Sequence, residues 1–479
     1  MFGFIKKNFF TLCVVIILLF SAFLRFYNYP ERFGLAYDQA HDALVVRYAL
    51  ENMKLPLLGP FSSAGPFQTG GEWYWFIMIG SALYIPSVIT PWVFLTSLYV
   101  LFVLGIILVA KELVNKKFAL VVGLLTAIST AQIAQGVNLT NQSPQAIFSL
   151  LAIWFSIKFI RTKKIKYIFL LSLSVGTAAS IHLQGAALIF LLFFTLIFSG
   201  IPRLSTLLLA AFGLFIPWIP VFIADSQNNF SNTRNMLYYY MHDQYRISLD
   251  VLGRRWLTFA GVLFPKFLSH VIGGNVVFGY VLPILIIITF IFSILRKKLS
   301  KEWLVLLSSF LGSVVILRYT RTPIFDSYIV FLHPFILLLS AWAIYFFMSK
   351  YKYVGIIILI LVFSFSLKKS IVEINYKGNK LVQNLINIRG ELVKKYPPGT
   401  KFIVYDPRDK NMASTYSFAL FLYEKDLISK NGTKITLVLN KDNSGYEAIN
   451  INKKFNKKNW YPITPEQVYL STEEWYKIK

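Results

Sequence analysis

The sequence predicts an all-α polytopic membrane protein of about eleven transmembrane helices, with a small C-terminal α/β domain outside the membrane. Three observations lead there. Hydrophobic residues make up 56% of the 479 and charged residues only 15%, and a mean hydropathy of +0.58 is far too apolar for a soluble domain. Apolar runs close to one bilayer crossing, about 20 residues, recur along most of the chain. From Lys368 onward the composition turns polar, with Lys, Asn, Asp and Tyr enriched.

The runs are Phe9–Phe26, Pro91–Ala110, Phe118–Ala134, Gln145–Ile160, Tyr167–Ser180, Ala186–Phe198, Leu207–Ile223, Val276–Leu295, Trp303–Ile316, Tyr328–Phe347 and Val354–Leu367. Short or interrupted runs leave about ten to thirteen crossings open. The first run follows Lys6 and Lys7 as a signal peptide would. Ala22 to Arg25 offers no small-residue cleavage site, however, so the run reads as a retained anchor.

Lysine and arginine gather at Lys6 and Lys7, Lys111 with Lys116 and Lys117, Arg161 to Lys166, Arg203, Arg296 to Lys301, and Lys350 with Lys352. The positive-inside tendency places those loops, and the N-terminus, in the cytoplasm. This holds together only if Trp73 to Ala110 crosses once, with Trp73 to Tyr84 lying at the interface. The outer face then receives the Tyr37 loop, the turns Gly136 to Pro144 and His182 to Gly185, the stretch Ala224 to Gly274, and the loop Tyr319 to Ser327. The net charge of +26 is accounted for by this asymmetry and a lysine-rich tail, with no nucleic-acid patch required. The one cysteine, Cys13, lies in the first run, which excludes an intrachain disulfide.

Residues 1–367 are thus expected to form a transmembrane domain with an outer loop at 29–72, and residues 368–479 an extracytoplasmic domain placed outside by the odd number of crossings. In the tail, Ile386 to Lys395 reads as a helix ended by Pro397 and Pro398. Phe402 to Tyr405 and Ile435 to Leu439 read as strands flanking a helical pattern at Ala413 to Tyr423.

Within this apolar chain, Tyr37 to Tyr74 is a polar island holding Asp38, His41, Asp42, Glu51 and Glu72. Asp38-Gln39-Ala40-His41-Asp42 leads into Ala43 to Asn52, where Leu44, Val45, Tyr48 and Ala49 have helical spacing; a short amphipathic helix at the interface is expected, with Asp38 as its N-cap. Capping alone needs one such residue, and this segment has three titratable groups. A carboxylate held at the membrane surface can instead accept a proton from a hydroxyl, as a general base, with His41 or Asp42 orienting it or the acceptor.

His182 and Gln184 break two apolar runs on the same predicted side. They read either as a plain polar turn or as donors to a phosphate or sugar hydroxyl. Arg234, Arg246, Arg254 and Arg255 on one outer loop, and Arg318 and Arg321 on another, run against the positive-inside tendency. A planar guanidinium suits phosphate, and Arg254, Arg255 and Arg318 abut apolar runs where a lipid headgroup would lie. Single arginines of this kind also serve as interfacial snorkellers. His242, His270 and His333 lack metal-ligand spacing, so no metal or other cofactor is indicated. The crossings hold almost no ionisable residues, which argues against an ion-coupled transporter.

The order of these parts resembles the GT-C membrane glycosyltransferases, in particular the protein O-mannosyltransferase family and its bacterial relatives, the lipid A aminoarabinose transferases. The residues that carry the resemblance are Asp38-Gln39-Ala40-His41, then Glu72-Trp73-Tyr74-Trp75, then His182-Leu183-Gln184. Two positions depart from it. Gln39 stands where the family has Glu, and Asn141 where an acidic residue is often found.

The resemblance implies inverting transfer of one sugar from a polyprenyl-phosphate donor to a hydroxyl on a lipid, glycan or protein acceptor, on the extracytoplasmic face. Asp38 would be the base, Arg254, Arg255, Arg318 and Arg321 would hold the donor phosphate, and Glu72, Tyr74, Asn141, His182 and Gln184 would contact sugar or acceptor. The leaving group needs no metal in principle. A ligase or polymerase of the O-antigen type, using a lipid-diphosphate oligosaccharide and relying on Ala224 to Gly274, is the competing enzyme. A flippase would require a polar path across the bilayer, and the sequence offers none.

Overall fold

A backbone in lipid has to satisfy its own hydrogen bonds, and each apolar run accordingly folds as helix. This is seen in a computed structural model describing residues 2–62, 65–84, 87–200, 202–242, 257–318, 326–376, 380–407, 413–439, 446–450 and 460–474. The first half of the chain forms α1 (Phe2–Phe26), α2 (Tyr29–Arg32), α3 (Tyr37–Glu51), α4 (Glu72–Ala82), α5 (Thr90–Leu113), α6 (Lys116–Ala127), α7 (Thr130–Gly136), α8 (Gln145–Thr162) and α9 (Ile165–Ile181).

Among the described residues seven helices are long and apolar enough to cross a bilayer: Asn8–Phe26, Thr90–Leu113, Gln145–Thr162, Leu204–Ser226, Val276–Leu295, Asp326–Lys350 and Lys352–Ile374. The pair α6 and α7, bent by 60°, makes an eighth if it is one span. Ile165–Ile181, Leu183–Phe198 and Phe259–Val271 are apolar but shorter. Length alone therefore supports seven or eight spans where the sequence suggested about eleven. α4 has 11 residues, too few to cross.

The 60° break has a side-chain cause. Ser129 Oγ accepts from Gln132 N at 3.3 Å and starts α7, while the buried Arg25 of α1 donates to Ala127 O at 3.1 Å and Thr126 O at 3.4 Å. The carbonyls freed at the end of α6 are thus satisfied by a guanidinium. At the opposite end of the bundle, Glu112 pairs with Lys158 at 2.8 Å and Glu302 with Arg161 at 2.7 Å.

Outside the bundle lie α3, a hairpin of β1 (Leu58–Phe61) and β2 (Gln68–Gly70), α4 and a C-terminal sheet. That sheet has β3 (Phe402–Pro407), β4 (Thr433–Leu439), β5 (Tyr446–Asn450) and β6 (Trp460–Ile463) in the order β5-β4-β3-β6. β3 and β4 pair in parallel, joined through the helix Ala413–Glu424, and the other two pairings are antiparallel.

One apolar core runs from Leu44 of α3, Trp73 of α4 and Leu139 to Phe418 and Tyr469 of the C-terminal helices. The helices Ala413–Glu424 and Pro465–Glu474 pack directly on α3. The sequence suggested an interfacial amphipathic helix; in the structure most of α3, from Gln39 to Arg47, is buried. The reason is the C-terminal domain, which covers the face that would otherwise meet water.

Candidate active site

Asp38 is the second residue of α3. It does not cap the helix as the sequence suggested: the N-cap is Ala36, whose backbone N–H donates to Gln39 Oε1 at 2.9 Å. Gln39 Nε2 in turn donates to Asn138 Oδ1 at 2.8 Å, which ties α3 to the turn after α7. Gly34 lies against the same asparagine, its N–H donating to Val137 O at 2.8 Å, in a space where a Cβ would meet the Asn138 side chain. Gln39 thus supplies the cap and the tether, and the Asp38 carboxylate keeps an exposed edge with no hydrogen-bond partner among the described residues. Partial withdrawal from water, and secondly the charge of Asp42, raise its pKa above the ordinary carboxylate value, while His41 pulls it down.

His41 and Asp42 face inward. Asp42 accepts from Trp73 Nε1 at 2.6 Å and from the Tyr74 hydroxyl at 3.3 Å, and its Oδ1 lies 3.1 Å from His41 Nδ1. It is fully engaged in joining α3 to α4. The sequence grouped it and Tyr74 with the chemistry, and in the structure the two are hydrogen-bonded to each other. The His41 ring stacks on Tyr37 at 5.7 Å and lies 6.1 Å from Tyr416 of the C-terminal domain.

Glu72 opens α4 half-buried. Its Oε2 accepts from Ser180 Oγ at 2.7 Å, and its Oε1 has no partner among the described residues. Burial raises its pKa against the pull of the Ser180 hydroxyl. Gly70 is required here, because a Cβ would run into Ser180 Oγ and Glu72 Oε2. Two residues beyond Ser180, His182 Nε2 lies 3.2 Å from Gln142 Nε2 and its ring 5.2 Å from Tyr328. The amide donates, so His182 Nε2 accepts and the ring proton sits on Nδ1, which has no partner. Burial pushes the His182 pKa down to about 4, keeping the ring neutral at physiological pH. Asn141 Nδ2 donates to Ile181 O at 3.3 Å, and Gln145 Nε2 to His182 O at 2.9 Å.

The structure therefore brings together three polar segments that the sequence singled out: the start of α3, the 136–145 turn, and the Ser180-Ile181-His182 turn with Glu72. Gln184 follows in the turn Leu183–Leu188. Arg254, Arg255 and Arg321 lie outside the described residues, and Arg318 ends the helix Lys301–Arg318. His333 Nδ1 lies 2.7 Å from Gln132 Nε2, and His270 lies 3.7 Å from Asp326. Among the described residues no three His, Cys, Asp or Glu side chains converge as a metal site. Sequence reasoning missed Ser180, Gln142 and Tyr416. The first two adjoin motif residues, whereas nothing local marks Tyr416.

Residues 73–223, from α4 through both polar turns, match the family model described as dolichyl-phosphate-mannose-protein mannosyltransferase. ArnT from Cupriavidus metallidurans in the apo state superposes with a TM-score of 0.58 at 12% identity, over 90% of this chain and 93% of that one. The fold is that of the GT-C membrane glycosyltransferases. ArnT bound to undecaprenyl phosphate gives a TM-score of 0.56 at 12% identity, over 87% and 85%. The apo Archaeoglobus fulgidus oligosaccharyltransferase shares the GT-C fold with a TM-score of 0.52 at 14% identity, over 90% of this chain and 70% of that one. No curated protein sequence matches significantly.

Proposed function

We propose that this protein is an integral-membrane glycosyltransferase that moves a monosaccharide from a polyprenyl-phosphate carrier to a hydroxyl acceptor outside the cytoplasm, with inversion at the anomeric carbon. The observation that carries the reading is Asp38, a carboxylate with an exposed edge at the head of α3 and no hydrogen-bond partner among the described residues, where Gln39, His41 and Asp42 are already engaged. In the proposed step the acceptor hydroxyl gives its proton to Asp38 as its oxygen attacks the anomeric carbon. The bond from that carbon to the phosphate oxygen breaks, and the lipid phosphate leaves as an anion.

Arg254, Arg255, Arg318 and Arg321 are assigned to that phosphate for their fork-shaped donor set. Glu72, His182 and Gln184 are assigned to sugar or acceptor, Glu72 and His182 because each keeps an unpartnered polar atom, and Tyr74 and Asn141 to shaping that pocket from behind. The multi-pass chain would sit in the cell membrane with its N-terminus in the cytoplasm. Support for a lipid-phosphate donor comes from the fold shared with ArnT, whose bound ligand is undecaprenyl phosphate.

The test is transfer by purified protein in detergent from a short-chain polyprenyl-phosphate monosaccharide, with a lipid-diphosphate oligosaccharide run in parallel. Asp38→Asn is expected to abolish transfer with expression intact. Arg254→Ala, Arg255→Ala and Arg318→Ala should each weaken donor use by about 1.5–3 kcal/mol, the worth of a charge-assisted contact, with Lys restoring part. Turnover of the diphosphate oligosaccharide alone would replace this reading with an oligosaccharide ligase or polymerase, the alternative favoured by the likeness to the oligosaccharyltransferase.

A further inference from the structure

We propose that the helix Ser231–His242 lies in the membrane interface with Leu237, Tyr238 and Met241 in contact with lipid, and that it holds the β1–β2 hairpin, with Glu72 just beyond it, at the level of the lipid headgroups. The inference stands apart from the reading of Asp38. With 12 residues this helix is too short to cross a bilayer, yet Leu237 is 52% exposed, Tyr238 65% and Met241 62%. Together with the exposed Arg234 they recur at the spacing of one helix face.

The opposite face is fixed to the hairpin. Asn232 exchanges two hydrogen bonds with the Gln68 backbone, Gln68 N donating to Asn232 Oδ1 at 2.8 Å and Asn232 Nδ2 to Gln68 O at 3.2 Å. Asn235 Nδ2 donates to Pro66 O at 2.8 Å, and the Tyr239 ring lies 5.4 Å from that of Phe67. Gln68 belongs to β2, which runs through Gly70 to Glu72 at the head of α4. The first turn is held as firmly, because the buried Asp225 accepts from Asn232 N at 2.8 Å and from Thr233 N at 2.9 Å. Whatever meets the exposed face of this helix therefore also sets the position of the hairpin.

What meets it follows from the chain just before. The span Leu204–Ser226 turns Phe215, Ile219 and Phe222 outward, where only lipid tails suit them. Asn229 and Phe230 then both take positive φ, 55° and 54°, a backbone that a bulky residue adopts only where its surroundings impose it. Here it turns Phe230 back onto Phe222, with ring centroids 5.8 Å apart. Phe230 is itself exposed, and Arg234, Leu237 and Met241 follow it at helical spacing. The lipid-facing side of the span thus continues onto the helix. Tyrosine and arginine beside apolar side chains on a short helix is the composition of an interfacial segment, and a sugar donor anchored in lipid would bring its phosphate to the same level.

The test places Leu237→Cys, Tyr238→Cys or Met241→Cys in the full chain carrying Cys13→Ala. Each protein is labelled with an environment-sensitive fluorophore and reconstituted in vesicles of phosphatidylethanolamine and phosphatidylglycerol, with Phe215→Cys as the lipid reference and Asn431→Cys as the water reference. Doxyl-labelled lipid is expected to quench all three labels as it quenches Phe215→Cys. Iodide, present on both sides of the membrane, should lose the quenching it shows at Asn431→Cys. Quenching by iodide without quenching by lipid would put the face in water. Resistance to both would put it against a second copy or another protein, and either result overturns the proposal. Three positions keep the test decisive if one variant fails to insert. Since location is read and turnover is not, the result stands whether or not Asp38→Asn is active.

Discussion

A carboxylate works as a base only while it is ionised and free of competing donors, and the surroundings of Asp38 set these two conditions against each other. Gln39 takes over the capping role and so leaves Asp38 free. Partial burial and the charge of Asp42 raise its pKa. A base whose pKa is raised loses activity as pH falls through that raised value, so the acidic limb of kcat/KM should lie above the ordinary aspartate pKa of about 3.9. Asp42→Asn removes the neighbouring charge and should move the limb to lower pH. A limb that stays in place in Asp42→Asn would reject the coupling.

His182 gives a second pH effect, on stability. Its folded pKa of about 4 lies below the ordinary histidine value of 6.5, so between those values the unfolded chain binds more protons than the folded one. Stability contributed by the neutral ring is therefore complete above about pH 6.5 and is lost as pH falls toward 4. Thermal unfolding in detergent should show a smaller loss over this window in His182→Gln than in wild type. Equal losses would mean that the ring is not buried in its neutral form.

At the scale of elements, α3 is where sequence reasoning reached furthest and also where it stopped. Its start could be read from the Asp38-Gln39-Ala40-His41 cluster, and the convergence of that cluster with Glu72, Asn141 and His182 followed from putting polar turns on one side of the membrane. Its burial could not be read, because the covering helices Ala413–Glu424 and Pro465–Glu474 come from the far end of the chain. β5, β6 and the hairpin β1–β2 were also missed, since short strands are fixed by their partners more than by their own pattern. The bend between α6 and α7 was read as one run, for the residue that stabilises it is Arg25 on another helix. The tail elements at Phe402, Ala413 and Ile435 were legible because their apolar patterns are local. The cap and tether made by Gln39 set the next prediction. Gln39→Ala loses the bond to Ala36 N–H and strands Asn138 Oδ1, costing about 1–2 kcal/mol of stability. Gln39→Glu would keep the cap but set a carboxylate against the Asn138 oxygen. The measurement is the thermal midpoint of purified protein. No shift in Gln39→Ala would mean that the tether is not formed.

For the whole molecule, the decisive question is which side of the membrane holds the site, and the charge asymmetry of the loops supplies the expectation. The end of the bundle where Glu112 and Glu302 pair with Lys158 and Arg161 also carries Lys116, Lys117 and Lys163 to Lys166, and is expected in the cytoplasm. The start of α3, Asn228 and the turn at Asn431 should then all lie outside, together with the C-terminal sheet that packs on α3. In a Cys13→Ala background, cysteines at Asn228 and Asn431 should react with a membrane-impermeant thiol reagent added to intact cells. Cysteines at Asn115 and Lys163, both exposed at the opposite end, should stay protected until the cells are opened. Because α3 and the C-terminal helices share one apolar core, Asn431 reports the side of Asp38 as well as that of its own domain. Labelling at Asn115 with protection at Asn431 would turn the molecule over, place Asp38 in the cytoplasm, and remove the case for an acceptor outside the cell.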